Sequence, residues 1–144
     1  MKRFDAAFLV LSWVVMGFSF AFFVPMAWDW FGEGGDHVRV WGWCFLFTLA
    51  TGGWLWVRTR HAHRELTVRD GFLLVTLVWV VMPAYASLPL LFTVQGISFT
   101  DAYFEAVSGL TATGATALAG LDLLAPSVNI WRCFLQLIGG LGIM

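Results

Sequence analysis

Apolar residues in this chain come in long unbroken runs, not in the strict alternation of a half-buried strand or the stripe of a surface helix. Residues 4–26 carry one charge, Asp5, near the start, and residues 40–57 and 71–94 carry none. A hydrocarbon core about 30 Å thick takes roughly 20 apolar residues to cross at about 1.5 Å per residue. Each run therefore predicts a spanning helix. A fourth run, residues 130–144, holds only Arg132 and stops after 15 residues, about two-thirds of a span. It predicts a helix cut short, and with it a chain that is a fragment.

Between the third and fourth runs, residues 95–129 carry Asp101, Glu105 and Asp122 and no Lys or Arg. Ser98-Phe99-Thr100-Asp101 supplies N-cap chemistry. Asp101, Glu105 and the apolar Ala102, Phe104, Ala106 and Val107 predict a short helix of roughly three turns ending near Gly109. The small and hydroxyl residues Leu110-Thr111-Ala112-Thr113-Gly114-Ala115-Thr116 follow. A helix too short to span, followed by small residues and flanked by spanning helices, is the pattern of a re-entrant pore loop.

Composition agrees with a membrane protein. The 144 residues are 60% hydrophobic, 17% aromatic and 12% charged, against about 25% charged in soluble domains. With eight Lys+Arg and a formal net charge of −1, the chain has no basic field for nucleic acid and no disordered-tail character. Cys44 and Cys133 have neither paired spacing nor zinc-finger offsets and read as apolar packing residues, not a disulfide framework or metal site. Met1-Lys2-Arg3 imitates a signal peptide, but its apolar run continues to Met26 without a small-residue cleavage site and reads as a retained helix.

Loop charge sets the orientation. Lys2 and Arg3 precede the first run and Arg58, Arg60, Arg64 and Arg69 fill the second connection. Residues 27–39 hold one Arg against Asp29, Glu33 and Asp36. The N-terminus is expected to be cytoplasmic. Trp28, Trp30, Trp41, Trp43, Trp54, Trp56 and Trp131 fall at run boundaries, as an interfacial belt would, whereas Trp13 and Trp79 lie deeper and are expected to pack.

Several residues keep two readings. An extended run whose carbonyls face an axis can replace a cation's hydration shell, with Gly114 as its hinge and Asp101, Glu105 or Asp122 raising the local cation concentration. The same small residues also suit close helix packing, and Asp101 and Glu105 also suit a solvated helix face. Pro83 and Pro89 would kink the third helix or end it near Ser87. Gly139, Gly140 and Gly142 allow close backbone approach. His61 and His63 fit a basic topology loop better than a metal site. No nucleophile and base set for an enzyme is present.

The order of residues narrows these options. Ser98-Phe99-Thr100-Asp101-Ala102-Tyr103-Phe104-Glu105-Ala106-Val107-Ser108-Gly109-Leu110-Thr111-Ala112-Thr113-Gly114-Ala115-Thr116, then Trp131-Arg132 and Gln136-Leu137-Ile138-Gly139-Gly140-Leu141-Gly142-Ile143, closely resembles the Trk/Ktr family of potassium transporters, in particular the N-terminal part of its TrkH-type subunits. The resemblance implies an all-α integral membrane fold: a two-helix transmembrane hairpin over residues 1–64, then the first, truncated helix–pore loop–helix repeat of a potassium-channel-like fold over residues 65–144. By it, Thr111, Ala112, Thr113 and Gly114 form the selectivity filter that holds K⁺, with Gly114 at the family's filter glycine and Ala112 departing from the threonine often found there. It implies potassium uptake across the bacterial inner membrane, with K⁺ as the transported ion and no cofactor. The implied partners are the lipid bilayer, the remaining pore repeats, a second copy in a homodimer, and a cytosolic nucleotide-binding regulatory subunit. The rival readings are a non-transporting membrane scaffold or assembly protein and a membrane enzyme using His61 and His63 with a metal.

Overall fold

The computed structural model describes residues 5–32, 34–61 and 67–143. Lys2, Arg3, Glu33, His63 and Arg64, used above for topology or as a metal pair, lie outside the described residues. Among the described residues all regular structure is helical.

The first span is longer than its apolar run. It comprises α1 (Asp5–Ser19), a 3₁₀ turn (Phe20–Phe22) and α2 (Phe23–Gly32), together 28 continuous residues. The tight turn falls just before Pro25, which has no N–H to offer the carbonyl of Ala21; the N–H of Phe23 donates to Phe20 and Ala21 instead. Trp28, Asp29 and Trp30, expected in an outer connection, are helical because nothing from Ala27 to Phe31 breaks a helix. Asp29, fully buried, accepts a hydrogen bond from the backbone N–H of His37 at 3.0 Å, and its carbonyl accepts from Gly35 at 3.0 Å. A carboxylate read as loop charge thus closes the turn into the next helix.

The second and third spans, α3 (Val38–Thr59) and α4 (Val68–Thr93), lie close to the expected bounds. Thr67 and Asp70 cap each other at the start of α4 in a capping box. Pro83 and Pro89 do not end α4, which runs unbroken to Thr93. Carbonyls near the prolines take donors from other helices: Val80 accepts from the Tyr103 hydroxyl at 3.1 Å and Ala86 from the Trp131 indole N–H at 3.0 Å. The last helices are the short α5 (Phe99–Leu110) and α6 (Pro126–Ile143), joined through a 3₁₀ turn (Leu121–Leu123). Proline at the first position of α6 removes an N–H that would have had no partner.

In the packed bundle, α1 lies most extensively against α3, α4 touches both α1 and α5, and α5 is held between α4 and α6. The core centres on Trp131, which stacks on Phe22 at 4.8 Å between ring centroids and meets Trp41 edge-on at 5.7 Å. Trp41 and Trp131 are fully buried, which corrects their assignment to an interfacial belt. Each supplies a large apolar ring at a helix crossing, and that burial outweighs the preference of the indole for the interface. Trp13 and Trp79, expected to pack, are turned outward at 59% and 40% exposure. Trp28, Trp30, Trp43 and Trp54 remain on the surface. The Arg58 and Arg60 guanidinium groups lie over the Trp54 and Trp56 rings at 5.1 and 5.9 Å, aromatic and cation together as at a membrane boundary. Cys44 is buried as expected, but Cys133 is exposed on α6.

Trp131 binds α6 to α4 through one directional contact. Trp131→Phe keeps most of the ring packing but leaves the indole's hydrogen bond unmade. It is expected to lower stability by about 1 kcal/mol, read as a shift in the thermal unfolding midpoint of the detergent-solubilised protein.

Candidate functional site

The site is built on α5. Ser98 caps the helix, its Oγ accepting from the backbone N–H of Asp101 at 3.1 Å and donating to the Asp101 carboxylate at 2.7 Å. The 12 residues of α5 rise about 18 Å, too little to cross a bilayer. Its Ala102, Ala106, Gly109 and Leu110 face are buried. At its end the backbone of α6 presses directly against it. A Cβ added at Gly139 would collide with the carbonyl of Leu110 and lie 2.9 Å from its Cα, so a side chain there would displace one helix from the other. Gly140 and Gly142 have nothing within 4 Å of such a Cβ; of the three glycines, only Gly139 performs the expected close approach.

Beyond Leu110 the chain leaves the helix through a turn at Thr111 and Ala112 and continues as an irregular, strand-like segment. Thr111 has φ −87°, Ala112 φ +54° and Gly114 φ +74°, with Thr113 not in the positive region. The left-handed Ala112 closes α5 in a Schellman-type turn, which returns the following N–H groups to the end of the helix. The N–H groups of Thr111, Ala112 and Thr113 turn back to the end of α5, donating to the carbonyls of Val107, Gly109 and Ser108 at 2.9, 2.9 and 3.0 Å. The Thr111 hydroxyl donates to the Val107 carbonyl at 2.8 Å and lies 2.7 Å from the Thr113 hydroxyl. Among the described residues no donor reaches the carbonyls of Thr111, Ala112, Thr113 or Gly114. Residues 112–117 are exposed. Four consecutive residues therefore present carbonyl oxygens beside the C-terminal, partially negative end of a helix, where a cation is favoured and an anion is not.

The far side of the strand is held by Glu105. Its residue is 3% exposed, and Oε1 accepts from the Thr116 hydroxyl at 2.5 Å and the N–H groups of Ala117 and Leu118 at 2.6 and 3.3 Å. Oε2 accepts from Arg132 Nε at 2.9 Å in a salt bridge between α5 and α6. The Ser108 hydroxyl donates to the Ala115 carbonyl at 2.6 Å. This corrects two readings of Glu105, as a solvated helix face and as an outer attractor of cations: its charge is consumed inside the protein. Asp101 is an exposed cap and Asp122 lies exposed on the 3₁₀ turn. His61 is exposed at the end of α3, and among the described residues no group of three or more His, Cys, Asp or Glu could hold a metal ion. A cavity of about 420 Å³ is lined by apolar residues of α1, α4, α5 and α6 that include Phe18, Met82, Leu110 and Ile138.

Arg132 was the missed residue. Its signal was present, because an ionisable side chain inside an apolar run requires a partner; the sequence does not say which, since Glu105 lies 27 positions earlier.

The family model for TrkH, described as a cation transport protein, matches residues 42–144. The chain belongs to the TrkH family. It is 47% identical over 98 residues to the Trk system potassium uptake protein TrkH of Halomonas elongata, covering 67% of this chain and 20% of that protein. It is 45% identical over 101 residues to TrkH of Escherichia coli K12, covering 69% of this chain and 21% of that protein. Its fold superposes with a TM-score of 0.90 and 35% identity on the crystal structure of the potassium transporter TrkH from Vibrio parahaemolyticus, covering 98% of this chain and 30% of that one. The chain thus spans about a fifth of the length of the two curated TrkH relatives. The fold match also includes the first span, which precedes the residues that the family model matches. Among the described residues three helices are long and apolar enough to cross a membrane, and the chain is a multi-pass, all-α member of the TrkH family.

Proposed function

We propose that this chain forms the opening part of a potassium pathway: residues 1–64 a membrane hairpin, residues 65–144 one pore repeat in which the carbonyls of Thr111, Ala112, Thr113 and Gly114 replace part of the hydration shell of K⁺. The observation that carries the reading is the segment after α5, where the N–H groups of Thr111, Ala112 and Thr113 are spent on the end of the helix while, among the described residues, no donor reaches the carbonyls of Thr111, Ala112, Thr113 and Gly114. A dehydrated cation supplies the partner those oxygens lack, and no covalent chemistry is involved. One strand surrounds an ion on one side only, so the reading requires further repeats around a common axis. They come from the rest of a longer chain, as the length of the relatives suggests. The N-terminus is cytoplasmic in the bacterial inner membrane, with α5 entering from the outer side; the second copy and the cytosolic nucleotide-binding regulatory subunit expected from the resemblance complete the assembly.

The test is a chimera in which this chain replaces the matching segment of the Escherichia coli relative, expressed in a bacterium lacking potassium uptake systems. Growth on limiting potassium is expected to be restored. A chimera that reaches the membrane at the relative's abundance without restoring growth would favour the packing scaffold instead.

A further inference from the structure

We infer that Glu105 and Arg132 are positioning residues that set the ion preference of the strand, an inference that rests on the potassium reading above. The strand is pinned on both sides of Gly114. On one side the Thr113 N–H donates to the Ser108 carbonyl at 3.0 Å. On the other, Glu105 Oε1 gathers the Thr116 hydroxyl and the Ala117 and Leu118 N–H groups within 2.5 to 3.3 Å. Gly114 lies between these anchors in a conformation, φ +74°, that L side chains avoid. Ala112 adopts a left-handed φ of +54° without being glycine, so this path is not one the backbone would keep unaided.

The second anchor is tied to the fold. Glu105 Oε2 accepts from Arg132 Nε at 2.9 Å, with side-chain exposures of 1% and 16%. A buried carboxylate keeps its place only if both oxygens are satisfied, and here each is. Arg132 holds the carboxylate, and the carboxylate holds residues 116–118. Because the pair is internally neutral, it contributes little field at the strand. Its effect is on the placing of carbonyls and therefore on discrimination between cations of different size, not on how many cations arrive.

The experiment measures K⁺ and Na⁺ uptake by the full-length chimera and its variants, at matched membrane abundance. Glu105→Gln and Arg132→Gln are each expected to lower the K⁺/Na⁺ uptake ratio about tenfold, as loss of an orienting partner does at other ion sites. Arg132→Lys, which keeps the charge but lacks a donor at the Nε position, is expected to lose less of the ratio than Arg132→Gln. The loss is expected to persist at raised ionic strength, where surface attraction would be screened. Thr116→Val touches only an exposed member of the network and guards against misfolding of the charge variants. It is expected to lower the ratio about threefold. Uptake of both ions falling together with an unchanged ratio would overturn the inference, as would a loss that disappears in high salt. An unsubstituted chimera that reaches the membrane but takes up no K⁺ would overturn the potassium reading and this inference with it. A transporting chimera with an unchanged ratio in the variants would overturn only the inference.

Discussion

Gly139→Ala is expected to remove most folded protein from the membrane, while Gly140→Ala and Gly142→Ala leave its amount unchanged. All three glycines lie within about one turn of α6 and are equivalent to any scale of helix propensity, on which alanine is favoured by about 1 kcal/mol. Their surroundings separate them. At Gly139 the added Cβ meets the backbone of Leu110, which is the last turn of α5 and cannot swing aside as a flexible side chain could. The helices must part, and Gly109 beside Leu135 on the same seam is already at the limit of approach, with a notional Cβ at 3.0 Å from Leu135 Cβ. Overpacking of this kind costs about 1–3 kcal/mol and occasionally more, a large share of the stability of a small bundle. Membrane abundance and the unfolding midpoint of the solubilised full-length chimera would read the effect. Equal behaviour of the three variants would contradict the close approach of α5 and α6.

Gly114→Ser is expected to leave the protein folded and to weaken its preference for K⁺ over Na⁺ about tenfold, the equivalent of roughly 1.4 kcal/mol. Space is not the issue, since a Cβ there would have only Gln136 Nε2 for company, at 4.0 Å. Conformation is: φ +74° costs an L-residue about 1–2 kcal/mol. The strand relieves that cost by rotating the peptide plane and with it a carbonyl. Asparagine enters the left-handed region more readily than serine, so Gly114→Asn is expected to do less damage than Gly114→Ser although it is larger. The reverse order, or selectivity that follows side-chain volume, would show that contact and not backbone geometry governs the site. Uptake ratios for the chimera at matched abundance distinguish the two.

The sequence made the membrane class legible because a bilayer imposes a length, and uncharged runs of that length over residues 40–57 and 71–94 leave few alternatives. The short helix was equally plain, its Ser98 cap and acidic first turn being local chemistry between neighbours. What could not be read depended on contacts between distant parts of the chain. Trp131 lies at a run boundary and looks interfacial; only the approach of Phe22, Trp41 and the Ala86 carbonyl makes it the centre of the core. Asp29 looked like loop charge because the backbone donor that buries it belongs to His37, beyond the turn. Glu105, one turn from Asp101 on the same helix, looked like its partner on a wet face, yet Asp101 is exposed and Glu105 enclosed by Arg132 and residues 116–118. The positive φ of Gly114 is what a glycine read as a hinge permits, whereas the left-handed φ at Ala112 had no signal in an alanine. The prolines of α4 illustrate the same limit: of the kink or end that Pro83 and Pro89 allow, the end near Ser87 does not occur, and both are buried in a helix that continues to Thr93.

The central claim is that the carbonyls of Thr111, Ala112, Thr113 and Gly114 hold the transported ion. Diffraction from crystals of the full-length chimera grown with thallium(I), a heavy analogue of K⁺, tests it most directly. The account predicts anomalous density on the carbonyl side of this strand, lost when thallium is exchanged for Na⁺. Thallium bound elsewhere along the pathway, with the four carbonyls facing water or another helix, would contradict it.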